Sequence, residues 1–107
     1  MLGIKSITYE NKNGVFNINV NEKMISYMNT KQEISENTIF KYLERLFRII
    51  DIWQEEYPSS NVISGDSWKL LIDYTDGRTK KYSGHSNLPL NFEAFQRLNQ
   101  DIIEGAI

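Results

Sequence analysis

Cysteine is absent from this 107-residue chain, histidine occurs once and proline twice. The first absence removes disulfides, thiolate nucleophiles and sulfur-ligated metal sites together, so folding needs no oxidising compartment. No apolar run approaches the roughly 18 residues of a membrane-spanning helix. The opening Met1-Leu-Gly-Ile-Lys-Ser also lacks the basic segment and apolar core of a secretory signal. These absences point to a cytoplasmic protein with no membrane contact. An excess of one charge is missing as well: 12 Lys and Arg stand against 14 Asp and Glu, mixed along the chain. No strong field draws in a polyanion, so direct nucleic-acid binding is disfavoured.

What is present is ordinary for a globular protein, with 40% hydrophobic and 24% charged residues. The aromatic share of 12% is generous, and aromatics bring large buried areas to small cores. A chain of this length forms a single domain, residues 1–107, able to bury about two-thirds of its unfolded surface around one core.

The amino-terminal third alternates. Ile4, Ser6, Thr8 and Glu10 interleave with Lys5, Ile7, Tyr9 and Asn11, and the turn signal Asn13-Gly14 follows. Beyond it, residues 15–21 send Phe16, Ile18 and Val20 to one side and Asn17, Asn19 and Asn21 to the other, giving one core face and one wet face. A third strand is expected over 23–28. From Glu36 to Tyr57 the spacing changes: Ile39, Leu43, Leu46, Ile50, Trp53 and Tyr57 recur at steps of four and three, with Phe40 and Phe47 widening the stripe. That pattern predicts one long amphipathic helix, capped by Ser35 or Asn37 and ended by Pro58, with residues 59–61 as a loop.

Trp68 to Phe95 is the most explicit stretch. Trp68, Leu70, Ile72 and Tyr74 alternate with Lys69, Leu71 and Asp73, and Asp76-Gly77 supplies a turn. A three-residue loop 75–77, with Gly77 left-handed, places Tyr82 opposite Leu70 and Gly84 opposite Trp68. This register gathers Trp68, Leu70, Ile72, Tyr74 and Tyr82 on one surface and leaves Lys69, Asp73, Lys81 and Ser83 on the other; Gly84 makes room for the indole. Asn91 then reads as a helix cap, Leu90 and Phe95 as a hydrophobic staple, and Phe92, Phe95, Leu98 and Ile102 as the buried stripe. The expected fold is α+β, in the order β-β-β-α-β-β-α, with a long and a short helix on one face of an antiparallel sheet.

The same residues carry a resemblance. The run Trp68-x-Leu70-x-Ile72-x-Tyr74-x-Asp76-Gly77, followed by Tyr82-Ser83-Gly84 and by Pro89-x-Asn91-Phe92-x-x-Phe95, resembles a loosely defined group of small α+β proteins of low-GC Gram-positive bacteria and their mobile elements. The resemblance implies a fold and a phage or mobile-element setting, without an assigned activity. It makes Trp68, Asp76, Gly77, Tyr82, Gly84, Pro89, Asn91, Phe92 and Phe95 the structural positions.

Chemistry is sparsely written. His85 has Ser83 and Ser86 nearby, yet no nucleophile elbow or oxyanion motif accompanies them. Asp66, Asp73 and Asp76 cluster in sequence without the spacing of a calcium loop, and with no histidine or cysteine beside them a metal site would be all-oxygen. No catalytic residue, metal or cofactor is therefore expected. Two basic groups remain, Lys41, Arg45 and Arg48 on the long helix and Arg78, Lys80 and Lys81 near the hairpin tip, as candidate partner-binding residues. The function these features suggest is a non-enzymatic protein-binding module, in its specific form a mobile-element inhibitor of a CRISPR effector or other bacterial defence nuclease, as anti-CRISPR proteins are. The alternatives are a housekeeping interaction domain that forms a homodimer or binds a cellular partner, and an enzyme using carboxylates.

Overall fold

The alternating segments pair into one seven-stranded sheet, in the order β4-β3-β2-β1-β6-β7-β5. The strands are β1 (Ile4–Asn11), β2 (Gly14–Asn19), β3 (Met24–Tyr27), β4 (Thr30–Glu33), β5 (Glu56–Tyr57), β6 (Ser67–Tyr74) and β7 (Thr79–His85), and the helices are α1 (Glu36–Ile50) and α2 (Phe92–Glu104). The computed structural model describes residues 3–57, 67–85 and 87–107. Expectations for Pro58, the 59–61 loop, Asp66 and Ser86 lie outside them. The α+β class is as expected, and a Cα radius of gyration of 13.8 Å is close to the roughly 13 Å of a compact domain this size.

The core lies between the sheet and both helices. Ile7, Phe16, Ile18, Ile25, Trp68, Leu70, Ile72 and Tyr82 are buried from the strands, against Ile39, Leu43, Leu46 and Ile50 of α1 and Phe92, Phe95, Leu98 and Ile102 of α2. The hairpin register is the expected one, with Leu70 opposite Tyr82 and Trp68 opposite Gly84. Tyr74 N–H donates to the Arg78 carbonyl at 2.9 Å, closing a three-residue loop in which Gly77 has φ +92°, a conformation costly to any residue with a Cβ. Ser35 caps α1 through its hydroxyl, 3.1 Å from the Thr38 N–H, and Glu44 pairs with Arg48 one turn along at 3.6 Å.

Several expectations need correction. Helix α1 ends at Ile50, not Tyr57. Trp53 N–H closes a tighter turn onto the Ile50 carbonyl at 2.9 Å, and Trp53 reaches the core from the connection after the helix. Its spacing matched the stripe because the core continues there, although the helix does not. Strand β4 has no counterpart in the sequence pattern, because Thr30-Lys-Gln-Glu33 is exposed throughout and has no apolar alternation. Its turn is made by Met28 and Asn29, at φ +46° and +66°, so Met28 leaves the third strand. Asn21 lies in a turn beyond β2, off the strand face. The sheet is mixed, because the short β5 runs parallel to β7.

At α2, Asn91 holds the cap position but makes no side-chain cap bond; its backbone is left-handed, at φ 64°, a conformation asparagine tolerates. Its carbonyl accepts from the Phe95 N–H at 3.2 Å. Leu90 is 76% exposed, so no staple to the buried Phe95 forms. What holds the helix entry is instead Trp53, whose indole N–H donates to the Leu90 carbonyl at 2.9 Å.

Candidate functional site

Strand register places a polar lattice on the sheet face away from the helices. Thr8 stands beside Asn17 and Leu71, and Leu71 beside Lys81. Ser6 stands beside Asn19 and Asp73, and Asp73 beside Thr79; Glu10 stands beside Lys69, and Lys69 beside Ser83. Directly opposed side chains on neighbouring strands are near enough to bond. The Ser6 and Thr79 hydroxyls donate to the two oxygens of Asp73, at 3.0 and 2.7 Å. Asn17 donates to the Thr8 hydroxyl at 2.9 Å and to the Ile7 carbonyl at 3.2 Å, and Lys69 pairs with Glu10 at 3.1 Å. Lys81 forms no ion pair among the described residues.

The two basic groups fare differently. Lys41, Arg45 and Arg48 are exposed on one side of α1, with Arg48 tied to Glu44. Arg78, Lys80 and Lys81 are dispersed. Arg78 is bonded at 2.7 Å to Asp76 in the turn and sits over the Tyr74 ring. Lys80 lies opposite Ile72, on the helix side of the sheet, and meets Glu55 at 2.5 Å. Lys81 alone reaches the open face. Bonding from Lys80 holds the Glu55 carboxyl below its ordinary range and raises the ammonium in return. The Arg78 backbone N–H lowers the Asp76 carboxyl likewise.

His85 finds a partner that local sequence could not supply. Ser67 is its cross-strand neighbour, and the hydroxyl lies 2.7 Å from Nδ1. The pair borders a groove of about 670 Å³ whose lining includes Glu10, Trp68, Lys69 and Lys81. Among the described residues no carboxylate orients the imidazole from its other nitrogen, and no cluster of three or more His, Asp or Glu could hold a metal ion. The Asp73 and Asp76 oxygens are engaged by Ser6, Thr79 and Arg78.

The aromatic positions form the wall behind this face. Trp68, Phe92 and Phe95 surround Trp53, with Trp68 and Phe95 edge-on at 5.7 and 5.4 Å; Tyr82 meets Trp53 edge-on at 5.9 Å. Pro89 is buried beside them in the chain. Gly84 leaves room for Trp68, whose indole N–H donates to the Asn87 carbonyl at 2.8 Å. One buried polar pair escaped sequence reading. The Tyr42 hydroxyl donates to Asn99 Oδ1 at 2.6 Å, linking α1 to α2, and burial pushes this phenol far above its ordinary range. Spacing carried a signal for both: Tyr42 lies three after Ile39 and four before Leu46, and Asn99 four after Phe95 and three before Ile102.

No family model matches the chain, and neither a curated protein nor a solved structure matches it.

Proposed function

We propose that this chain is a non-enzymatic protein-binding module and that the open face of the sheet is its contact surface. The observation behind this reading is the hydrogen-bonded order of that face. Ser6, Asp73 and Thr79 are linked, as are Thr8 and Asn17, and Lys69 is held by Glu10. Side chains already fixed lose little freedom on binding, so a partner meets a prearranged polar surface. Charges of both signs lie close together, which favours a protein of complementary pattern over a polyanion. The face presents Val15, Met24 and Leu71 among polar groups, and the rings that line its groove are the buried Trp68 and the half-buried Tyr57, so it offers little open ring surface for the base stacking of single-strand nucleic-acid binders.

The finer reading follows the resemblance: the partner is a CRISPR effector or other bacterial defence nuclease, inhibited in the cytoplasm by occupation rather than by chemistry. The test is a pull-down with tagged wild type, Leu71→Arg/Lys81→Glu on the open face, and Lys41→Glu/Arg45→Glu/Arg48→Glu on α1, followed by cleavage assays on any nuclease retained. The expected result is a nuclease retained and inhibited by wild type and by the helix variant, and released by the face variant. Retention lost only in the helix variant would move the contact to α1. A retained nuclease that cleaves at its full rate would overturn the inhibitor reading.

A further inference from the structure

Strand β4 ends the sheet, and among the described residues no strand pairs with its outer edge. Which of its backbone groups point outward follows from the ladder. Ile34 N–H donates to the Lys23 carbonyl at 2.9 Å, and hydrogen-bonded positions alternate along an antiparallel pair. Thr30 and Gln32 therefore direct their N–H and C=O groups toward β3, opposite Tyr27 and Ile25, while Lys31 and Glu33 direct theirs away from the sheet. Short, charged edges usually discourage pairing with arbitrary strands. Here the order of charges makes an exception for one partner.

We infer that the β4 edge is a self-recognition surface, at which a second copy of this chain adds its own β4 antiparallel to extend the sheet. Symmetric pairing must bring outward-directed residues opposite one another, which leaves three registers centred within the strand. Centring on Lys31 opposes two lysines, and centring on Glu33 opposes two glutamates. Centring on Gln32 places Lys31 opposite Glu33 of the second copy and, by symmetry, Glu33 opposite Lys31 of the second copy. Each pair exchanges both backbone hydrogen bonds and sets opposite charges side by side. Neither Lys31 nor Glu33 forms an ion pair within the chain among the described residues, so dimerisation breaks no such contact. Both side chains stand on the open face, in line with Ser26 and Met24, so the dimer extends that face without covering it.

The inference concerns a different surface from the contact proposed above, and purified protein alone tests it. Sedimentation velocity over a concentration series up to about 1 mM should show a reversible monomer–dimer equilibrium in wild type. Lys31→Glu and Glu33→Lys each convert two complementary pairs into two like-charge pairs and should weaken the dimer at least roughly tenfold in Kd. The double variant Lys31→Glu/Glu33→Lys restores complementarity with the signs exchanged and should return Kd to near the wild-type value. The strand is exposed, so all three variants should keep the wild-type circular dichroism and melting temperature. Wild type that stays monomeric throughout, a dimer indifferent to both single changes, or a double variant as weak as the singles would each overturn the inference.

Discussion

Replacing Gly84 with alanine tests the packing that holds the hairpin against the aromatic wall. A Cβ at this position would lie 2.5 Å from Trp68 Nε1, 2.9 Å from Cε2 and 2.7 Å from the Asn87 carbonyl oxygen, where ordinary contacts begin near 3.4 Å. The indole has little room to retreat. It is buried, meets Trp53 at 5.7 Å and Phe92 at 5.3 Å between ring centres, and is tied to Asn87. Overpacking of this kind costs about 1–3 kcal/mol, and loss of the indole hydrogen bond adds about 0.5–1.5 kcal/mol. The lower entropy of an unfolded chain carrying alanine returns about 0.4–1 kcal/mol. The net expectation is a loss of about 1–3 kcal/mol, read as a fall in melting temperature of at least about 4 °C. Denaturant unfolding of Gly84→Ala, Trp68→Phe and the double variant isolates the indole's share: with the smaller ring in place the two indole contacts are gone and the Asn87 carbonyl contact remains, so the glycine substitution should cost less. A Gly84→Ala protein as stable as wild type, or the same penalty in both backgrounds, would refute the steric reasoning.

Tyr42→Phe should destabilise the domain by about 1–3 kcal/mol, because the Asn99 carbonyl is left buried without its donor; Asn99→Leu in the same chain should recover part of the loss in urea unfolding. The same phenol gives an alkaline signature. Its folded pKa is raised by burial, so above the unfolded value near 10 the unfolded chain binds fewer protons than the folded one, and stability falls as pH rises. Tyr42→Phe should shallow that slope without abolishing it, since burial also raises Tyr9 and Tyr82. Ser35→Ala, which removes the α1 cap, should cost about 0.5–2 kcal/mol by thermal unfolding. Asp76 works in the opposite pH direction. Its folded pKa is lowered, so its contribution is present above the unfolded carboxylate value and lost as pH falls through the folded one. The penalty of Asp76→Ala at neutral pH should therefore shrink in acid.

The parts of the fold legible in sequence were those where local pattern and tertiary burial agree. The 68–84 hairpin is the clearest case, since alternation, turn chemistry and the Gly84–Trp68 pairing all select one register. Strand β4 was invisible because an edge strand exposed on all sides needs no apolar residues. The overlong helix arose because Trp53 serves the core from a connection while keeping helical spacing. At the candidate site, the face occupied by Asn17, Asn19, Lys69, Asp73 and Lys81 could be inferred from period-two alternation. Which side chains bond across it could not, because the bonds of Ser6 to Asp73 and of Ser67 to His85 depend on residues 67 and 18 apart in the chain. Proximity in sequence also misled, since Arg78, Lys80 and Lys81 project to different sides of one hairpin.

The proposed contact surface is tested most directly by a photo-activated cross-linking residue placed at Leu71, in the centre of the open face, and in a second protein at the exposed Glu93 of α2. Each would be irradiated in lysate of a low-GC Gram-positive bacterium carrying its own defence systems, and the adducts identified by mass spectrometry. The expected result is a discrete nuclease adduct from position 71, absent from position 93 and abolished by Lys81→Glu. Adducts from position 93 alone, or none from position 71, would contradict the assignment of the sheet face as the binding surface.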